Sequence, residues 1–174
     1  MRGRGDAMNQ GTAPVEHTGL DVVVKPEWID FNGHMNIAYY VAAFDLATDN
    51  LFRIVTPDIW DGDVFLGGFY AVEMHITYER ELYEGQPLRI TTQMLGVDDK
   101  RLHFFHRMYH ATEGYLAATN ELLFLCVSRE TRRAAAMAGH HFEAWESLVR
   151  RHALMPKPHQ AGRVMSVKAR KPGT

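Results

Sequence analysis

Cysteine is almost missing from this chain of 174 residues: Cys126 stands alone, so no intrachain disulfide can form. Its place within the apolar run Leu122 to Val127 predicts a buried, inert thiol, a state that suits a reducing cytoplasm. Bilayer-length apolar runs are missing too, which argues against a membrane-spanning role. The opening segment MRGRGDAMNQGTAPVEHTG carries charge but lacks the apolar core of a signal peptide. The expectation is a cytoplasmic protein without a membrane partner. Charge of one sign is scarce as well: the formal net charge is −2, which gives no basic field to draw the chain onto nucleic acid. No internal repeat is visible. The length fits one domain with a real core and leaves no room for a second.

What is present divides into three stretches. Residues 1–18 are rich in Gly, Asn, Gln and Thr and have too little to bury to offset the entropy of ordering, so they read as a flexible tail. Residues 19–154 carry the pattern of a folded domain. Residues 155–174, with Pro156, Pro158, Pro172 and basic side chains but no acid, read as a second, basic flexible tail.

Within the domain, a short apolar run from Leu20 to Val24 ends at Pro26, and Trp28-Ile29-Asp30 enters the turn Phe31-Asn32-Gly33-His34. Apolar positions at three- and four-residue steps, Ile37, Val41, Phe44, Thr48, Leu51 and Val55, then predict a long helix closed by Pro57. Alternation over Val64 to Glu79 predicts a long strand with Tyr70, Val72, Met74, Ile76 and Tyr78 on an oily side and Glu73, His75 and Thr77 opposite. Strands are expected at Leu88 to Val97, Arg101 to His110 and Tyr115 to Ser128, joined by turns short enough to make them antiparallel. Such long strands must curl around what they cover, and the long helix is the obvious filling. A last amphipathic helix is expected from about His140 to Ala153, burying Phe142, Trp145, Leu148 and Val149.

A curved antiparallel sheet wrapped on one helix, with a polar turn before that helix, points to an α+β hot-dog fold. The stretch Asp30-Phe31-Asn32-Gly33-His34-Met35-Asn36, followed by Tyr39 and Tyr40, resembles the D-x-x-G-H-x-N-x-x-x-Y motif of the 4-hydroxybenzoyl-CoA thioesterase-like family. Lys100 to His106 and Ala118 to Leu122 are similar to thioesterases of carnitine breakdown, which act on betainyl-CoA. The resemblance implies hydrolysis of a small acyl-CoA thioester, with coenzyme A as part of the substrate and no cofactor. It also implies a homodimer, or a dimer of dimers, with a shared site. Two other readings stay open: an acyl-CoA hydratase or dehydratase of the same fold, and a non-catalytic acyl-CoA-binding module.

Thioester hydrolysis needs an attacking water or carboxylate and donors for the developing oxyanion. By resemblance Asp30 is the catalytic carboxylate, as general base or nucleophile; an Asp in a turn can equally serve only to accept backbone hydrogen bonds. His34 could orient water or contact the carbonyl, or merely shape the turn. Asn36 could cap the helix, hold the acyl group, or both. Gly33 lets backbone approach a ligand, and the amides near Met35 and Asn36, at a helix N-terminus, are expected to face the thioester carbonyl. Tyr40 could line the acyl pocket. A trimethylammonium acyl group would want ring faces, and Trp28, Phe31, Trp60, Phe65, Phe69 and Tyr70 are available either for that or for the core. Glu73 and Glu121 are fallback carboxylates. Arg101, Arg107, Arg129, Arg132 and Arg133 are candidates for the phosphates of coenzyme A. No metal site is expected: on a strand His103 faces away from His106 and His110, and no other ligand set has zinc spacing. Gly67-Gly68 lacks the Lys-Ser/Thr of a phosphate loop.

Overall fold

A computed structural model describes residues 17–62, 64, 65 and 67–167. Nearly all of the expected N-terminal tail, and the last seven residues of the C-terminal one, lie outside them. The elements run β1 (His17–Val23), α1 (Ile37–Val55), β2 (Trp60–Asp61), β3 (Val64–Phe65), β4 (Phe69–Tyr78), β5 (Pro87–Val97), β6 (Arg101–His110), β7 (Leu116–Cys126) and α2 (Gly139–His152). Five strands form one sheet in the order β1-β5-β6-β7-β4, while β2 and β3 make a small ribbon of their own. Every pairing in the large sheet is antiparallel, as the short turns require.

Helix α1 occupies the predicted span. Phe44, Thr48 and Leu51 face the sheet as expected, joined by Ala43 and Ala47, whose small side chains let the helix approach closely. Ile37, expected on the buried stripe, is exposed. Around α1 the core forms two lobes. One gathers Trp28, Tyr40, Phe44, Ile90 and Met108 at the start of the helix; the other gathers Leu51, Phe52, Met94, Phe104 and Trp145 at its end. Helix α2 lies in the second lobe, with Trp145 and Leu148 buried and Phe142 and Val149 partly covered. Among the described residues, strand β1 covers β5 as far as Thr92. Past that point the Met94 amide donates to Nδ1 of His152 at 2.9 Å, so the last turn of α2 packs on this edge of β5.

The oily strand differs from its expected form in two ways. It is broken, since β3 and β4 are separate strands, and Gly68 sits so close to Val127 that a Cβ there would collide with the Val127 carbonyl. A bulge at Val72 then shifts the register between Ala71 and Glu73. Each bulge residue moves the alternation by one. Tyr70, opposite Leu125, therefore lies on the outer face with Glu73, His75 and Thr77, while Met74, Ile76 and Tyr78 face inward. Strand β6 keeps its expected bounds and β5 gains Pro87, while β7 is shorter than expected, running from Leu116 to Cys126. Cys126 is partly rather than fully buried, and that burial pushes its thiol upward.

The segment from Met155, expected to be a free tail, lies back on the outer face of the sheet. Gln93 donates to the Pro156 carbonyl at 3.3 Å and the Gly162 amide donates to Glu121 at 2.7 Å. Gln93, Phe105 and Glu121 form one cross-strand row, so residues 156–162 cross directly over it. Phe105, which belongs to the face away from α1, is 1 % exposed. A Pro-rich composition signalled disorder; an apolar ring on the outer face gives the strap something to cover.

Candidate active site

The turn before α1 is built from its own residues. Gly33, at φ 84°, takes the left-handed conformation that glycine adopts without strain. Its amide donates to the Asp30 carbonyl, and the Asp30 amide to the His34 carbonyl, both at 3.0 Å. Asn36 caps the helix: its side-chain oxygen accepts the Ala38 amide at 2.9 Å, the bland role expected of it.

Asp30 and His34 come together here. Asp30 Oδ1 accepts the Asn32 amide at 2.8 Å and lies 3.8 Å from His34 Nδ1. The other ring nitrogen of His34 stands 3.6 Å from Glu81 Oε1, so the imidazole is flanked by two carboxylates. Asp30 is mostly covered, its side chain 16 % exposed, whereas Glu81 is open to solvent at 63 %. No sequence signal marked Glu81; it reaches the turn from the loop after β4, the same loop whose Leu82 carbonyl accepts the Met35 amide at 2.7 Å.

That bond and its neighbour correct the expected donor set. The amides of Met35 and Asn36 are already engaged, the second by the Trp28 carbonyl at 2.9 Å. The amides of His34 and Ile37 have no acceptor among the described residues, which makes them the donors that the start of α1 still offers.

Beside the turn lies a recess of about 220 Å³ lined by His34, Met35, Ile37, Tyr40, Tyr78, Glu79, Arg80 and Glu81. Tyr40 meets Tyr78 edge to face at 5.2 Å. Burial, above all, raises the Tyr40 hydroxyl to about 12, so it stays protonated and can only donate or accept as a neutral phenol. Arg80 is drawn over the Tyr115 ring at 3.9 Å.

Other expected lining residues are elsewhere in the chain. Trp28 is buried, stacked on Tyr39; Phe31 is 98 % exposed; Phe69 packs on Phe52 in the second lobe. Trp60, under the Arg53 guanidinium at 3.7 Å, follows the far end of α1. Tyr70 is the second residue of β4, at the opposite end of the strand from Tyr78, which meets the turn. The side chain of Phe65 is outside those described. Of the fallback carboxylates, Glu121 is held by His103 at 2.8 Å and by the strap, and Glu73 lines a recess on the outer face. Arg101 pairs with Asp98 at 2.6 Å at the sheet end remote from the turn.

The chain matches the model of the thioesterase-like superfamily over residues 24–151. It is 34 % identical over 150 residues to a betainyl-CoA thioesterase of Pseudomonas aeruginosa, covering 86 % of this chain and 94 % of that protein. A similar stretch, 143 residues at 36 % identity, matches an L-carnitine dehydrogenase/betainyl-CoA thioesterase of Ruegeria pomeroyi; it spans 82 % of this chain but 29 % of that longer protein. Among solved structures, a candidate thioesterase from Pseudomonas putida KT2440 superposes with a TM-score of 0.78 at 27 % identity, over 89 % of this chain and 99 % of that one. A Staphylococcus aureus protein in complex with CoA gives 0.75 at 25 % identity, over 88 % and 97 %.

Proposed function

The chain belongs to the thioesterase-like superfamily, and from that premise we propose that it hydrolyses the thioester of a small acyl-coenzyme A, with betainyl-CoA as the substrate. The observation that carries this reading is the convergence, at one helix start, of a mostly covered carboxylate, an imidazole and unspent backbone amides. Asp30 keeps Oδ2 for water or the carbonyl carbon, since the Asn32 amide and His34 both address Oδ1. As general base it takes a proton from water; as nucleophile it forms an acyl anhydride that water then cleaves. In either case negative charge grows on the thioester oxygen, where the amides of His34 and Ile37 can meet it. The sulfur leaves as the thiolate of coenzyme A and is protonated on release.

The preference for a cationic acyl group rests on the recess. Tyr40 and Tyr78 offer ring surface, and Glu79 and Glu81 outnumber Arg80, a lining that favours a quaternary ammonium over an anionic or plain alkyl group. The two similar proteins named for betainyl-CoA support the same choice.

The site is best completed by a second copy. Strand β4 is an edge of the sheet, and along it Tyr70, Val72, Met74 and Tyr78 are all exposed, an arrangement that invites pairing. Antiparallel pairing of two β4 strands sets the Tyr70 end of one beside the Tyr78 end of the other. Tyr70 and Trp60, remote from Asp30 within one chain, would then approach the partner's turn.

The experiment is a panel of acyl-CoAs, betainyl-CoA included, read with a thiol-reactive dye. Release of free coenzyme A from betainyl-CoA in preference to acetyl-CoA and butyryl-CoA is the expected result. An intact thioester with a changed acyl chain would mean a hydratase, and unchanged substrate after long incubation a binding module.

A further inference from the structure

A second group of chemistry-bearing side chains lies at the other end of α1. Asp58 sits in the short 3-10 turn that follows the helix, Pro57–Ile59, and His140 and His141 lie in the first turn of α2. Although 82 and 83 positions from Asp58, both imidazoles turn the same nitrogen toward it. Nε2 of each lies 2.9 Å from Asp58 Oδ2, and Nε2 of His141 is also 3.0 Å from Oδ1. The rings are 4.1 Å apart and tilted by 54°, so they do not stack flat; their nitrogens close on a common point. One donor atom from each of the three residues fits within 4.8 Å of the others.

We propose that Asp58, His140 and His141 bind a divalent transition-metal ion, zinc in the first instance, as a clip between the end of α1 and the start of α2. Two imidazole nitrogens and one carboxylate oxygen are a donor set suited to zinc and poorly suited to calcium or magnesium, which want oxygen alone. Zinc bonds of about 2.0 to 2.2 Å place neighbouring tetrahedral ligand atoms roughly 3.3 to 3.5 Å apart. Small rotations about the histidine side-chain bonds reach that from the present spacing. Asp58 and His140 are exposed while His141 is mostly covered, so the outer side stays open for water as the remaining ligand. The competing account is that the carboxylate only accepts two imidazole N–H groups beside a helix start that has no side-chain cap.

The ion would be structural. Helix α1 has 19 residues, which at about 1.5 Å each puts roughly 28 Å between Asp58 and the Asp30 turn. The test uses untagged, chelator-stripped full-length protein titrated with zinc sulfate, followed calorimetrically and by thermal unfolding. Expected are one zinc per chain, a rise of several degrees in unfolding midpoint at saturation, and at least about tenfold weaker binding in both the Asp58→Asn variant and the His140→Gln/His141→Gln pair. Thioester hydrolysis should be unchanged by the chelator. Absence of saturable binding overturns the proposal, as does undiminished binding in the double variant. Loss of turnover on chelation overturns the structural role.

Discussion

Two histidines touch the path of α1, and their surroundings differ in every respect that decides chemistry. His34 stands at the helix start, partly open, between the carboxylates of Asp30 and Glu81. His106 lies on β6 beneath the middle of the helix, fully buried, with Thr48 Oγ1 at 3.0 Å from Nε2 and Thr92 Oγ1 at 2.8 Å from Nδ1. It is stacked on Phe44, and burial pushes its pKa down to about 3. One ring is reached by solvent between two acids; the other is held neutral by the absence of water. Only the first is placed to take part in the proposed hydrolysis.

The largest effect is expected from Asp30→Asn: turnover of the preferred acyl-CoA should fall about 10²- to 10⁴-fold with the unfolding midpoint kept, as steady-state kinetics and a melt on one sample would show. Undiminished turnover would move the catalytic carboxylate elsewhere. Next is His106→Leu, which leaves Thr92 facing an apolar group in the core. It should cost about 2 to 4 kcal/mol in urea unfolding while the activity of the folded fraction persists; lost activity without lost stability would make the buried ring more than a strut.

The same ring gives stability a pH dependence. Its depressed value means that the unfolded chain takes up a proton near 6.5 while the folded chain resists until about 3. The contribution is whole above about 6.5 and declines as pH falls through that window, with a slope approaching about 1.4 kcal/mol per pH unit. Denaturation midpoints from pH 3 to 7 should show this slope, and His106→Leu should flatten it. Smaller still, His34→Gln should lower turnover about tenfold with little change in the melt. Least of all, Glu81→Gln, at an exposed carboxylate, should shift turnover only a few-fold, measured best as a ratio to the His34→Gln effect.

How far the sequence reveals these features depends on how local each one is. The Asp30 to Asn36 turn was readable because its glycine, its cap and its carboxylate act on each other over seven consecutive positions. The span of α1 was readable for the same reason. Glu81 was not, since its approach to His34 depends on the β4 loop folding back across the helix start. Strict alternation puts Tyr70 on the wrong face because a single bulge residue at Val72 inverts the pattern upstream of it, and no residue type announces a bulge. Met35 and Asn36 were expected to have free amides because helix starts usually do; here an adjacent loop and the Trp28 carbonyl use them. Asp58, His140 and His141 escaped any spacing rule, being neighbours only once two helices have docked.

The strap over Gln93, Phe105 and Glu121 bears on how copies of this chain can meet. A bare outer surface would allow two sheets to be laid flat against each other, back to back. Here the protein has spent part of that surface on itself, and a second sheet would have to displace residues 156–162 and strip the lid from Phe105. For the dimer proposed above, further association would have to proceed sideways or through the helices.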